Sequence, residues 1–168
     1  MSSNGLNMQT RFIGIKTAQS RNSFLLWEDF LRDKLFARII EIGTYKWGMS
    51  LFFFLWCKTR KAEFFTFDVK FFPATRVVRL LGVIKCFCKA DVFSIEQEIG
   101  DLIKSDGMTI LFCDGGNKPK ELATFSKYLK KGDYICTHDW GTEVVKTDIP
   151  DGLTLIAEDE MTAIFQYA

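Results

Sequence analysis

One histidine, at position 138, is all that the 168-residue chain carries. No second cysteine or histidine pair stands near Cys86 and Cys88 to complete a zinc site, so those thiols read as structural. Charge of one sign is also lacking. The 22 Lys and Arg against 21 Asp and Glu leave a net +1, and no basic excess exists to neutralise a phosphate backbone, so nucleic acid is not expected as a partner. Long hydrophobic runs are missing: Met49 to Cys57 is greasy but nine residues long, whereas a membrane span needs about 20. That run reads as a buried helix, and no membrane partner is expected. No secretory leader precedes the five cysteines, an odd number set mostly in apolar runs, so reduced, buried thiols in a cytoplasmic protein are expected. Repeats and linkers are absent. One domain over residues 11–168 is therefore expected, after a polar, flexible start over residues 1–10.

What the chain does have is apolar bulk. Hydrophobic residues make up 48% and aromatics 15%, with 17 Phe, which indicates a densely filled interior rather than disorder. Its informative turn is ARIIEIGTYKWGMS, where Gly43 and Gly48 follow an apolar run at nearly the spacing of a phosphate cradle. Met49 stands where a nucleoside triphosphate loop needs its lysine, which argues against a triphosphate. Tyr45 stands where a dinucleotide fingerprint needs its second glycine, which disfavours NAD and an oxidoreductase. A strand, a glycine turn and a helix start remain, with Glu41 two residues before the turn. This suits a nucleoside-like ligand without phosphate.

The periodicity predicts an amphipathic helix over residues 23–35, carrying Phe24, Trp27, Leu31 and Leu35 behind Asn22 and Ser23 as caps. A strand follows at 38–42, then a helix to about Thr59 whose basic end, Lys58, Arg60 and Lys61, suits the helix dipole. The predicted order continues with strand EFFTFD, a helix from Pro73 to Leu81 and strand VIKCFCKAD. Next come a helix with a Ser94–Gln97 capping box and strand MTILFCD. A helix from Pro119 bearing Leu122, Phe125 and Leu129, strand DYICTHD and a final strand pair around Glu158–Glu160 complete the chain. Alternation of strands and helices predicts an α/β fold, a Rossmann-like three-layer domain around a mostly parallel seven-stranded sheet with a C-terminal antiparallel pair.

Acids close the strands: Glu41, Asp68, Asp91, Asp114 and Asp139 each fall at or beside a strand end. In an open parallel sheet these ends share one edge, where ligands bind. Each acid alone reads more simply as a helix cap. Together they predict a cleft that takes a hydroxyl-rich or cationic ligand, because clustered carboxylates repel unless hydroxyls or cations lie between them.

The set E-I-G-T-x-x-x-G-x-S, acids closing the second and third strands, D-G-G after the fourth and H-D after the fifth resembles the class I S-adenosylmethionine-dependent methyltransferases. More narrowly, it is similar to the small branch with rhamnosyl O-methyltransferases and cephalosporin hydroxylase-like proteins. The resemblance covers roughly residues 12–168. It implies an enzyme that uses S-adenosylmethionine, with Mg²⁺ as a candidate second cofactor, to methylate a hydroxyl of a small molecule or sugar. It implies cofactor contacts from Glu41, Gly43, Thr44, Tyr45, Gly48 and Ser50 around the first turn, from Asp68 at the ribose, from Asp91 and Val92 beside the adenine, and from Asp114. Asp114, Asp139 and His138 would hold the metal, and His138 would take the proton or complete the metal shell.

Three departures stand out. Trp47 is bulkier than the branch's small residue and is expected to narrow the cofactor pocket. Asn117 stands where the branch has a histidine, and Lys118 is a candidate substitute base, since desolvation lowers a lysine. These departures leave open a degenerate member that binds a cofactor or partner without turnover. Long lid-forming insertions are absent, so an acceptor site that is open or completed by another subunit is expected, and the aromatic N-terminal segment would suit a homo-oligomer interface.

Overall fold

The computed structural model describes residues 10–168, so of the flexible start expected over residues 1–10 all but Thr10 lies outside the described residues. Strands β1 (Arg11–Phe12) and β2 (Ile15–Lys16) form a small antiparallel hairpin that no alternation in the sequence predicts. Helix α1 (Arg21–Arg32) follows. The main sheet takes β3 (Arg38–Ile42), β4 (Glu63–Asp68), β5 (Phe87–Lys89), β6 (Thr109–Cys113), β7 (Tyr134–His138), β8 (Leu153–Glu158) and β9 (Thr162–Tyr167). Their order across the sheet is β5-β4-β3-β6-β7-β9-β8. The first five run parallel, and β9 returns antiparallel between β7 and β8, as expected from the sequence.

Alternation along each strand builds two cores. Ile39, Ile110, Phe112, Tyr134, Cys136 and Ile164 face α1 and α2 (Gly48–Arg60) on one side. Ile40, Ile42, Leu111, Cys113, Ile135 and Phe165 face α4 (Glu96–Lys104) and α5 (Lys118–Phe125) on the other. Between α2 and α4 runs a short helix, α3 (Arg76–Leu81). The aromatics of the N-terminal segment belong to the first core: Trp27 is fully buried, with ring centroids 4.7 Å from Phe53 and 5.3 Å from Phe112. Phe12 and Phe24 pack against the same core from its edge, while Leu25 and Leu35 stay exposed.

Local readings of the sequence shift at several ends. Helix α1 begins after Ser20, whose hydroxyl accepts the Ser23 N–H at 3.0 Å, so Asn22 and Ser23 lie inside the helix. It stops at Arg32, leaving Leu35 outside it and 81% exposed. Pro73 precedes α3, which starts after the Thr75 cap. The run VIKCFCKAD is only partly strand, because Val83–Cys86 is a 3₁₀ turn ahead of β5. No Ser94–Gln97 capping box forms; Ile95 precedes α4 without a side-chain cap. Helix α5 gives way to a 3₁₀ turn over Ser126–Tyr128, so Leu129 packs from beyond the helix. All five cysteines are free, with Cys57, Cys113 and Cys136 buried, whereas Cys88 is exposed. Among the described residues no helix is long and apolar enough to cross a membrane.

Phe53 sits fully buried between Trp27, Phe112 and Phe64, so Phe53→Ala leaves a cavity on the α2 side of the sheet. The expected loss is about 3–5 kcal/mol in urea unfolding, with the slope unchanged.

Candidate functional site

The sheet changes its winding direction between β3 and β6, since β4 and β5 lie to one side of β3 and β6, β7 and β9 to the other. At such a point the turns after neighbouring strands diverge and open a crevice. Here it is a cleft of about 540 Å³ at the carboxyl ends of β3, β4, β5 and β6, within the usual range for a small-molecule site. Ile42, Phe67, Val92 and Phe93 provide apolar walls, and Tyr45 and Phe72 flank the glycine turn.

Gly43 is the closest point of this crevice. Its φ is +98°, and a Cβ there would lie 2.1 Å from the carbonyl oxygen of Asp114. The turn after β3 therefore presses against the turn after β6. Hydrogen bonds lock both: Gly43 N–H donates to Phe67 O at 2.8 Å, and Asp114 N–H to Ile42 O at 2.9 Å. Gly48 serves a different approach, because a Cβ there would meet Lys16 O and Thr17 Cβ at 2.6 Å. The chain after β2 thus crosses over the start of α2 and carries Ala18 to the cleft.

Of the predicted site residues, Gly43, Tyr45, Asp68, Asp91, Val92, Asp114 and Asn117 line this cleft. Asp68 accepts the Tyr45 N–H at 3.0 Å and the Lys70 N–H at 2.8 Å, one on each oxygen, which fixes the carboxylate while leaving further lone pairs. Asp91 accepts the Phe93 N–H at 3.0 Å through one oxygen. Thr44 and Gly48 line only an adjoining recess of about 20 Å³, room for about one water.

Glu41 and Ser50 do not reach the cleft. Strand parity turns Glu41 to the α2 face, where it is fully buried and its Oε2 accepts from Ser50 Oγ at 2.5 Å and Thr66 Oγ1 at 2.6 Å. Its other oxygen, Oε1, has no hydrogen-bond partner among the described residues. Burial pushes this carboxyl up to about 8, against the two hydroxyl hydrogen bonds, so it is neutral near pH 7. Glu41 ties the turn to α2 and β4 from beneath and does not line the cleft. Trp47 also departs from expectation: it is buried, its indole N–H donates to Phe72 O at 2.8 Å, and it packs on Phe71 and Phe87. With φ at +72° its side chain leaves the cleft instead of narrowing it.

A second cluster adjoins the cleft through Asp114. His138 Nδ1 lies 3.2 Å from Asp114 Oδ1 and 3.3 Å from Asp139 Oδ1. One atom from each of these three residues falls within 4.8 Å of the others, so the fold does gather the predicted metal set. Lys118, the first residue of α5, enters the same cluster. Its ammonium is 2.8 Å from Asp139 Oδ2, 2.9 Å from Glu143 Oε2 and 3.9 Å from Asp114 Oδ1, and it donates to Gly115 O at 3.2 Å. Burial opposes the charge on His138, but the Asp114 and Asp139 carboxylates hold it up at about 9. The His138 hydrogen bond, outweighing burial, and the Lys118 ammonium hold Asp139 well below the usual carboxylate range. Burial raises Asp114, against its bond with His138. For Lys118 burial works downward, yet its pairing with Asp139 and Glu143 carries it above the ordinary lysine value. Lys118 is therefore a fixed cation and not the base expected of a desolvated lysine. Asn117 has a structural role, its side chain capping α5 by accepting the Lys120 N–H at 3.2 Å.

Magnesium favours a near-octahedral shell of oxygens. Two carboxylates bridged by an imidazolium and already paired with an ammonium fit that demand poorly.

Two contributors were missed in the sequence. Gln19 donates to Asp114 Oδ2 at 2.9 Å across 95 positions, from a stretch without pattern. Glu121 lines the cleft and accepts from Gly115 N–H at 3.2 Å and Asn117 N–H at 3.3 Å, bracing the D-G-G-N turn. Burial pushes it up to about 7. Its place four residues after the Asn117 cap was the available signal.

No protein-family model and no curated protein matches the sequence. Solved structures do match the fold. CmcI with S-adenosylhomocysteine superposes at a TM-score of 0.64 and 12% identity, covering 99% of this chain and 87% of that one. CmcI in its magnesium and S-adenosylmethionine form gives 0.53 at 14%, with coverages of 77% and 57%. The Podospora anserina methyltransferase PaMTH1, bound to S-adenosylhomocysteine, gives 0.62 at 14%, covering 89% and 80%. A Staphylococcus aureus protein provisionally described as a caffeoyl-CoA O-methyltransferase gives 0.61 at 13%, covering 89% and 85%. At these identities the likeness establishes the fold, a Rossmann-like methyltransferase fold as the sequence motifs implied.

The raised Glu41 carboxyl fixes a sign for the pH dependence of stability. The folded state keeps this proton up to about 8 while the unfolded chain releases it near 4.5, so this contribution is complete below 4.5 and is lost as pH rises through 8. Glu41→Gln, which imitates the neutral acid, is expected to remove a loss of roughly 2–4 kcal/mol between pH 5 and 8.5. Urea unfolding of both proteins at the two pH values measures it, and parallel pH profiles would disprove the assignment.

Proposed function

We propose that the chain binds S-adenosylmethionine in the cleft and transfers its methyl group to a hydroxyl of a small molecule or sugar. The observation that carries this reading is the convergence of Asp68, Asp91 and Asp114 on one cleft of about 540 Å³, beside the Gly43 turn. Asp68, held by two backbone N–H groups, has lone pairs left for ribose hydroxyls. Asp91 and Val92, with Phe93, suit a base edge and face. Three carboxylates around the opening suit a sulfonium cation, and no lysine follows Gly48 to favour a phosphate instead. When bound, S-adenosylmethionine supplies an activated methyl that passes to the acceptor oxygen as the sulfur–carbon bond breaks and a neutral thioether remains.

The chain's own work is to orient the acceptor and take its proton. Asp114 lines the cleft, burial makes its carboxylate more basic than an exposed one, and Gln19 and His138 hold it from the other side. It is the residue best suited to receive the hydroxyl proton. His138, already protonated near pH 7, is an orienting cation rather than the base. The acceptor side is read as open or completed by another subunit, in keeping with the short connections after β3, β4, β5 and β6.

A second reading, a degenerate member that binds cofactor or partner without turnover, draws on the Lys118 and His138 charges that already saturate Asp139. The two readings separate by activity. In calorimetric titration Asp68→Ala is expected to weaken S-adenosylmethionine binding by about 10–100-fold, since charge-assisted hydrogen bonds to the ribose are lost. Binding of NAD in place of S-adenosylmethionine would end the proposal. Asp114→Asn, which leaves Asp68 and Asp91 in place, is expected to weaken the binding by less than about tenfold but to lose about 100-fold or more of methyl transfer at saturating cofactor, measured as S-adenosylhomocysteine released over a panel of hydroxyl acceptors. Release from no acceptor by the unaltered protein would favour the non-catalytic reading.

A further inference from the structure

The acid cluster beside the cleft already contains a cation supplied by the chain. Lys118 is 5% exposed and stands at the first position of α5, where the helix dipole is positive and an ammonium is disfavoured. Something must offset that placement. Three carboxylates do so: Asp139 at 2.8 Å, Glu143 at 2.9 Å and Asp114 at 3.9 Å. The carbonyl of Gly115 accepts a further hydrogen bond at 3.2 Å. His138 occupies both carboxylates as well, with Nδ1 within 3.3 Å of Asp114 and Asp139. Asp139 is held rigidly in this role, since its left-handed backbone, φ +56°, closes a turn in which its carbonyl accepts from Thr142, Glu143 and Val144.

We propose that Lys118 is a built-in replacement for a divalent metal, so that the cluster of Asp114, His138 and Asp139 works without one. A metal binding these three residues would have to displace His138 Nδ1 from both of its carboxylate contacts and settle on Asp114 and Asp139, both already facing the ammonium. Like charges at such separations repel strongly in a half-dry pocket. An ammonium is a point charge with three donors, and it can hold Asp139 and leave Asp114 available to the cleft. Lys118 supplies the cation that the proposed methyl transfer would otherwise take from solution. That role rests on the methyl-transfer reading for its consequence, but not for its test.

The test reads metal binding directly, without turnover. Manganese serves as the probe, because its electron paramagnetic resonance signal falls on binding. The unaltered protein at pH 7.5 is expected to show no saturable site at up to about 1 mM manganese, the weak end of protein affinities. Lys118→Ala removes the ammonium and is expected to tighten binding by about tenfold or more, a gain that Asp114→Asn abolishes in the double variant. Lys118→Met keeps the apolar stem and is expected to gain the site too, which guards against a poorly folded alanine variant. Submillimolar binding to the unaltered protein that Asp114→Asn removes would overturn the inference, as would equal, weak binding in all three folded proteins. Either result leaves S-adenosylmethionine binding free to succeed or fail on its own titration.

Discussion

The contact of Gly43 with the backbone of Asp114 decides where everything else in the site can be. A Cβ on residue 43 would fall 2.1 Å from the Asp114 carbonyl oxygen, so only a residue without one allows the turns after β3 and β6 to touch. That touch lies at the reversal of strand order. It sets the floor of the cleft, brings Asp114 level with Asp68, and lets the neighbouring strand β7 deliver His138 and Asp139 against Asp114. Glu41, buried beneath, fastens the same turn to α2 through Ser50 and to β4 through Thr66. Neutral at pH 7, it does so without adding a charge below the ligand.

The fold was legible because two periodicities carry it. Apolar five-residue strands alternating with helices determine a parallel, doubly covered sheet, and the parallel sheet in turn brings every strand-end acid to one edge. That chain of reasoning brought Asp68, Asp91 and Asp114 to the cleft, while Asp139, at the same edge, joins the adjoining cluster with Lys118 and His138 instead. It failed for Glu41 because an edge does not specify a face. Ile40 and Ile42 point to the α4 and α5 side, so Glu41, between them, must point the other way. The same alternation was present in the sequence, but which face holds the cleft depends on the helix packing, which is a tertiary fact.

Other misreadings share a physical origin in backbone conformation and distance. The bulk of Trp47 suggested a blocked pocket, but its left-handed backbone swings the indole onto Phe71 and Phe87. Nothing in local sequence signals a tryptophan at positive φ, which is rare for a bulky side chain. Gln19 meets Asp114 only because the β1–β2 hairpin folds the chain over Gly48, a contact with no periodic trace. Lys118 was read from burial alone, which lowers a lysine, whereas the acids that surround it come from the start of its own turn, the end of β7 and the turn beyond. Burial and pairing act in opposite directions on a lysine, and only the geometry says which wins.

These charge states give the edge of the sheet a gradient. Glu41 is neutralised by burial, and Asp139 by Lys118 and His138, so neither presents free negative charge to a ligand. Asp114 is half compensated, by His138 on one oxygen and by the Gln19 amide on the other. Asp68 and Asp91 accept backbone N–H groups through their carboxylates, with no ion pair to a lysine, arginine or histidine among the described residues. The carboxylates without a paired cation therefore stand at the ends of β4 and β5, with Lys70 in the same cleft lining, and the paired ones stand toward β7. Under the proposed methyl transfer, a hydroxyl acceptor would meet Asp114 where the neighbouring carboxylate, Asp139, is already paired, and there a proton can leave for a carboxylate without working against a second unpaired negative charge.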